Sequence, residues 1–217
     1  MSCHCARAGL GDVFGERTAR LDARRFRRHG LARRADRLIE GIRRAVPFHD
    51  ALSLEGGAGV GGLSIELLRR GVQRAVAIDA VPAAVRMARS LAEQCGVAGR
   101  LDARIGDFTE LDDDESFDIV VLDRVVCCYP DWRALLEAAA THARAVIGFT
   151  YPRDAWWTRA AVGLTNGGLR AMRKRFRLHV HPPEQMHTLL RASGFLPDVT
   201  GHEGAWELCV ARRTGLG

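Results

Sequence analysis

The stretch Ala51-Leu-Ser-Leu-Glu-Gly-Gly-Ala-Gly-Val-Gly-Gly62 constrains this chain more than any other. A short apolar run with Leu52 and Leu54 meets an acid, Glu55, and then glycines at 57, 59 and 61. The following Leu63-Ser-Ile-Glu-Leu-Leu-Arg-Arg-Gly71 reads as a helix with its stop signal. Strand, glycine turn and helix in that order make a ligand site. Glycine permits the positive φ of a sharp turn and lets a ligand lie against the main chain. The helix start behind it offers unpaired N–H groups and a partial positive charge.

Gly57, Gly59 and Gly62 also satisfy the dinucleotide fingerprint G-x-G-x-x-G, so the glycines alone do not identify the ligand. Glu55 adds a carboxylate at the strand end, suited to a cationic or hydroxyl-bearing group. Ala75-Val-Ala-Ile-Asp79 then reads as a buried strand that ends in an acid 18 residues beyond Gly61. That spacing puts Asp79 where a carboxylate accepts hydrogen bonds from both ribose hydroxyls. Pro82 starts a helix ended by Gly96, and Leu101, Ala103 and Ile105 alternate as a third strand delivering Gly106-Asp-Phe108. A carboxylate beside an aromatic at a strand tip can receive an adenine amino group and flank the base. In isolation Asp107-Phe108 reads equally as a turn with a core aromatic.

Phe117–Leu122 is the fourth strand, running into the loop Asp123-Arg-Val-Val-Cys-Cys-Tyr-Pro130. Asp131 caps the next helix, and residues 145–150 form a fifth strand. Residues 151–183 break the rhythm, carrying Trp156-Trp157, Asn166-Gly-Gly168 and a basic cluster at Arg170, Arg173, Lys174, Arg175 and Arg177. A connection this long needs helices or a function of its own, and it reads as a helical insertion over the site. A helix over 183–194 follows, then a terminal hairpin of strands at 195–200 and 205–212 joined by Gly201-His-Glu-Gly204.

The 217 residues fit one domain with an appendage, and strand–helix alternation predicts a parallel sheet with an antiparallel edge. The reading divides the chain into an N-terminal helical cover, 1–45, and an α/β domain, 46–217. Residues 17–44 hold eleven arginines and three acids, with Leu31, Ala35, Leu38 and Ile42 spaced as one helix face. Gly30 separates two helices, near 16–29 and 31–45. The arginines read either as the solvated face of a cover helix or as a surface for an anionic partner. The net charge of +6 is carried almost wholly by arginine, Lys174 being the one lysine.

No run of 18 apolar residues predicts a spanning helix. Met1-Ser-Cys-His-Cys-Ala-Arg7 lacks the apolar core of a secretory signal, so cytoplasmic residence is the expectation. Six cysteines then read as free thiols. Cys3-His4-Cys5 has no second Cys/His pair at ligand spacing, so no metal site is expected. Nothing in the sequence sets an oligomeric state.

With Glu55-Gly-Gly-Ala-Gly-Val-Gly61, Asp79, Gly106-Asp-Phe108 and Phe117-Asp-Ile-Val-Val-Leu122 in one order, the chain resembles the class I S-adenosylmethionine-dependent methyltransferases across roughly residues 45–212. The resemblance implies a Rossmann-like, doubly wound, mostly parallel seven-stranded sheet. It implies that Glu55, Gly56, Gly57, Gly59 and Gly61 hold the methionine portion of S-adenosylmethionine. Asp79 with Ala80 would hold the ribose; Gly106, Asp107 and Phe108 would meet the adenine, with Asp123 nearby. Glu55 and Ala58 depart from the commoner Asp-x-Gly-Cys-Gly form but keep the charge and the small size. The ends look closest to small-molecule enzymes of the magnesium-protoporphyrin O-methyltransferase type. Cys5, Phe14, Arg24-Arg-Phe-Arg-Arg28, Asp123-Arg124, Tyr129-Pro130 and Pro182-Pro-Glu184 carry that similarity.

Methyl transfer from a sulfonium is an in-line displacement that needs two groups held at near-attack distance and water kept out. A base is required only for a nucleophile whose proton has a high pKa. Tyr129, Asp123 and His181 are the candidates for one, with Cys127, Tyr151 and His179 behind them. Each also has a plain structural reading, as a core thiol or a turn-ordering ring. A carboxylate acceptor needs no base and could be oriented by arginines such as Arg124 and Arg153. A small-molecule methyltransferase with S-adenosylhomocysteine as product, an RNA or protein methyltransferase, and a non-catalytic binder of the same fold all remain open. Asp123-Arg-Val-Val, where base amino-methylases carry Asn/Asp-Pro-Pro-Tyr/Phe, counts against base amino-methylation of that type. A nicotinamide dehydrogenase would need more chain after the cofactor half.

Overall fold

The computed structural model describes residues 9–112 and 114–215. The metal reading of Cys3-His4-Cys5, and Cys5 as a mark of similarity, lie outside these residues. One helical turn at Leu10–Val13 precedes the cover helices α1 (Glu16–His29) and α2 (Arg33–Ala45). The α/β part follows as β1 (Leu52–Gly56), α3 (Gly62–Arg69), β2 (Arg74–Asp79), α4 (Pro82–Gln94), β3 (Leu101–Ile105) and β4 (Phe117–Leu122). It continues as α5 (Trp132–His142), β5 (Ala143–Pro152), α6 (Trp156–Ala171), α7 (Pro183–Ala192), β6 (Phe195–Glu203) and β7 (Trp206–Arg213).

The strands form one seven-stranded sheet in the order β3-β2-β1-β4-β5-β7-β6. The first five are parallel; β7 enters antiparallel between β5 and β6. This is the doubly wound, mostly parallel sheet with an antiparallel edge that the resemblance implies. Strand alternation divides the core. Ile119 and Val121 face one apolar layer, while Val120 and Leu122 face the other. The first layer includes Phe26, Leu38 and Ile42 of α1 and α2, the second Leu135 of α5 and Leu190 of α7.

The cover helices are built into this core. Ala35, Leu38 and Ile42 of α2 are buried, on the face predicted by their spacing, and Ile39 is buried beside them, while Leu31 is only half-buried. Gly148 lets α2 approach β5, since a Cβ there would stand 2.5 Å from Ile42 Cδ1. Phe26 of α1 lies over the start of α3, where a Cβ on Gly62 would meet its ring at 2.9 Å. Arg70, just after α3, holds Asp36 and Glu40 of α2 as well as Glu66.

β5 gains residues at both ends and β6 extends to Glu203, while β7 keeps its length but shifts by one residue to Trp206–Arg213, leaving a turn at Gly204 and Ala205. Gly201, read as part of the turn, sits in β6 with φ 147° beside a register shift between Val199 and Gly201. A bulge there absorbs one residue and lets a glycine lie inside a strand. Among the described residues no helix is long and apolar enough to cross a membrane.

Candidate functional site

Strand order reverses between β1 and β4, whose outward connections leave on opposite faces, so a crevice opens at the C-terminal ends of the parallel strands. A cavity of about 470 Å³ occupies it. Glu55, Gly57, Gly59, Asp79, Ala80 and Phe108 lie on its sheet side. Phe14, Arg25 and Arg34 of the cover and Thr158 and Trp157 of α6 lie across from them. Because β7 is antiparallel, its first residue Trp206 pairs with the last residue of β5, Pro152, and also reaches the cavity.

The glycine turn has the backbone its sequence demands. Gly57, Gly59 and Gly61 have φ of 60°, 55° and 71°, left-handed values that favour glycine. A Cβ on Gly57 would come within 2.6 Å of Val125 Cγ2, whereas one on Gly59 would meet nothing within 4 Å. Gly56 answers a different need, because a Cβ there would stand 2.5 Å from the Phe108 ring. Gly56, Gly61 and Asp107 stand behind the cavity wall, not on it.

Glu55 is buried and accepts two hydrogen bonds on one oxygen, from the Ser64 N–H at 3.0 Å and the Ser64 hydroxyl at 2.5 Å. The acid therefore caps the first turn of α3 across the glycine loop. Burial pushes its pKa to about 8 against the pull of those bonds, and Asp123 and Asp79 add to the rise. Asp79 performs a related task on the next strand. Its Oδ2 accepts the Gly59 N–H at 2.7 Å and its Oδ1 the Val81 N–H at 2.8 Å. Burial raises the Asp79 pKa, opposed by both N–H groups.

Asp107 is turned inward. Its Oδ1 accepts from the Thr109 N–H, the Thr109 hydroxyl and the Tyr129 hydroxyl at 3.0, 2.9 and 2.9 Å. Tyr129 reaches the cavity, but burial, with Asp107 beside it, pushes its phenol well above the usual range. The hydroxyl is a donor, not a base. Asp123 is held by Arg34 of α2 through a two-bond fork and also accepts from the Thr150 hydroxyl at 2.8 Å. The third base candidate, His181, lies outside the cavity lining. Its Nε2 donates to the Tyr129 carbonyl at 3.0 Å, and its ring stacks on His179. Burial lowers its pKa. Those contacts make His181 a brace for the Tyr129 loop.

Several participants carry no signal in the sequence. Arg34 is one of eleven arginines between residues 17 and 44, and only folding turns it inward. The Arg34 and Arg124 guanidiniums lie 5.5 and 5.4 Å from the Trp206 ring centre. Arg124 holds a left-handed backbone, φ 62°, while its N–H donates to Thr150. Among the described residues neither Arg124 nor Arg25 has a carboxylate in ion-pair contact, although both lie on the cavity. Thr158 is buried there with its hydroxyl lacking a partner among the described residues.

Comparison with known proteins finds methyltransferases. Residues 54–145 match the family described as "Methyltransferase domain". The ubiquinone biosynthesis O-methyltransferase of Paramagnetospirillum magneticum is 37% identical over 121 residues, 54% of this chain and 47% of that protein. The chain thus spans about half the length of that curated relative. Among solved structures, magnesium protoporphyrin IX methyltransferase from Synechocystis PCC 6803 with bound SAM superposes with a TM-score of 0.62 at 17% identity, covering 93% of this chain and 81% of that one. An O-methyltransferase family 2 protein from Planctomyces limnophilus in complex with apigenin gives 0.69 at 16% identity, over 96% and 65% of the two chains. At such identities these structures speak for the fold.

Proposed function

We propose that this chain, which has the class I methyltransferase fold, is an S-adenosylmethionine-dependent methyltransferase acting on an oxygen of a small acidic molecule. When bound, the cofactor supplies a methyl on a sulfonium that a nucleophile displaces in line. The residues fit it: the glycine turn leaves open space at Gly59, and the sheet side offers the acceptors Glu55 and Asp79. Glu55 would neutralise a cationic group, Asp79 would accept from hydroxyls, and Phe108 would flank the base. Asp107 would act through the loop it holds. In this reading the helices up to Ala45 are a cover on the transferase domain 46–217, and 151–183 is the insertion that closes it.

The acceptor class rests on one observation. Facing the cofactor side, the cavity has Arg25 and Arg124, whose charges both act on Asp22 without ion-pair contact, and a buried Thr158 hydroxyl, while none of the three expected bases is poised. Tyr129 keeps its proton, Asp123 is clamped by Arg34, and His181 is spent on a carbonyl. Such a site favours an oxygen that is already anionic at neutral pH, held by charge-assisted hydrogen bonds from Arg25 and Arg124. Catalysis would then come from orientation and water exclusion. The ubiquinone biosynthesis O-methyltransferase that the chain resembles supports oxygen as the acceptor.

A labelled-methyl screen of cell extract divided into small molecules, RNA and protein tests this reading. Label should enter an acidic small molecule. Incorporation confined to RNA or protein, or no binding of S-adenosylhomocysteine by calorimetry, would overturn it.

A further inference from the structure

The loop after β4 ends in a one-turn helix, Val126–Cys128, that puts two adjacent cysteines on the cavity. Their Sγ atoms are 3.7 Å apart, and both contact the Arg124 carbonyl, at 3.6 and 3.4 Å. The pair is free, with Cys127 buried and Cys128 half-buried. Neither thiol has a part in the function proposed above. Two sulfurs bound to one centre through bonds of about 2.3 Å must stand within about 4 Å of each other. The pair in the protein already lies within that reach.

We propose that Cys127 and Cys128 form a two-sulfur site for a thiophilic trivalent metalloid, of the organoarsenical(III) class, on the wall of the cavity. The donor set selects this class. Among the described residues no three His, Cys, Asp or Glu side chains gather to hold a metal ion, so a bare tetrahedral cation would lack ligands. A trivalent centre that brings its own organic group needs only two sulfurs, and the cavity has room for that group. The electrostatics assist. The Arg124 guanidinium places a positive charge near both sulfurs. With an arsine oxide, the As=O bond breaks, two As–S bonds form, and the oxygen leaves as water with both thiol protons. Arsenic stays trivalent. Asp79 contributes to the field at Cys128, so the bound group would lie beside the sheet-side carboxylates and obstruct the cavity.

Phenylarsine oxide and intact-mass spectrometry provide the test, in a full-length Cys3→Ser/Cys5→Ser background that removes the other closely spaced pair. One phenylarsine should add per chain, map to the peptide holding residues 127 and 128, and come off with a dithiol but not with an equal excess of monothiol. Cys127→Ser and Cys128→Ser should each abolish the adduct, with thermal melts reporting that the variants fold. Peptide mapping on the parent decides the matter if they do not. No adduct, an adduct mapping elsewhere, or one retained by a folded variant would overturn the proposal. The readout needs neither cofactor nor methyl acceptor, so its failure is separate from failure of the methyltransferase reading.

Discussion

Arg34 and Asp123, 89 positions apart, form a two-bond fork: Nε to Oδ1 at 2.8 Å and Nη2 to Oδ2 at 2.7 Å. Both side chains are largely buried, at 13% and 12% exposure, so the pair is desolvated and each charge depends on the other. It joins the cover to the loop after β4 and closes one side of the cavity. Removing one partner of such a pair strands the other charge. Arg34→Ala is expected to lower stability by about 3 kcal/mol in urea denaturation. Arg34→Lys should recover little of that loss, because an ammonium cannot make the fork. A loss under about 1 kcal/mol, as for an exposed pair, would contradict this account.

Glu55 predicts a pH dependence with a definite sign. Its folded pKa, about 8, lies above the ordinary 4.5. The folded chain therefore binds this proton more tightly, and the site contributes most below the unfolded value. That contribution falls as pH rises from 4.5 to about 8. Glu55→Gln should flatten the decline in ligand-free stability across that window, measured by denaturation at a series of pH values. An ammonium group, such as that of S-adenosylhomocysteine, prefers the carboxylate. Binding of S-adenosylhomocysteine at pH 7 should therefore release a proton, seen as a dependence of calorimetric enthalpy on buffer ionisation enthalpy, and Glu55→Gln should abolish the release.

Asp79 uses both oxygens to hold backbone N–H groups and still lies on the cavity. Asp79→Ala removes the ligand's acceptor and the tie on Gly59 together. Affinity for S-adenosylhomocysteine should fall about tenfold or more, as expected for a charge-assisted hydrogen bond. Wild-type affinity in this variant would refute the role assigned to the strand tip.

The glycines of the turn should separate by phenotype. Alanine at either Gly57 or Gly59 carries the left-handed backbone cost of about 1–2 kcal/mol. Gly57→Ala also drives a methyl into Val125, so its melting temperature should fall further. Gly59→Ala puts the methyl in open space at the cavity and should mainly weaken cofactor binding. Equal melting temperatures would argue against the Val125 contact as the difference.

Thr158→Val removes a buried hydroxyl that has no partner among the described residues. Stability of the ligand-free protein should hold or rise, since no hydrogen bond is lost. Once an acceptor is known, KM should rise with little change in kcat. The reverse pattern would remove Thr158 from acceptor binding.

The sequence by itself determined the elements and the sheet side of the site. Glycines need positive φ wherever they make such a turn, and Glu55 and Asp79 at the tips of β1 and β2 reach one crevice because parallel strands end together. The apolar spacing of α2 was legible for the same local reason, since burial follows the helical period. Tertiary structure decided which charges are spent and which are available. Arg34 differs from its neighbouring arginines only in meeting Asp123 across the fold, and His181 is a brace only because the Tyr129 carbonyl stands 3.0 Å away. Trp206 reaches the cavity because β7 runs antiparallel beside β5. Such pairings join residues far apart in the chain, and their energy comes from desolvation and direction, which no local pattern encodes.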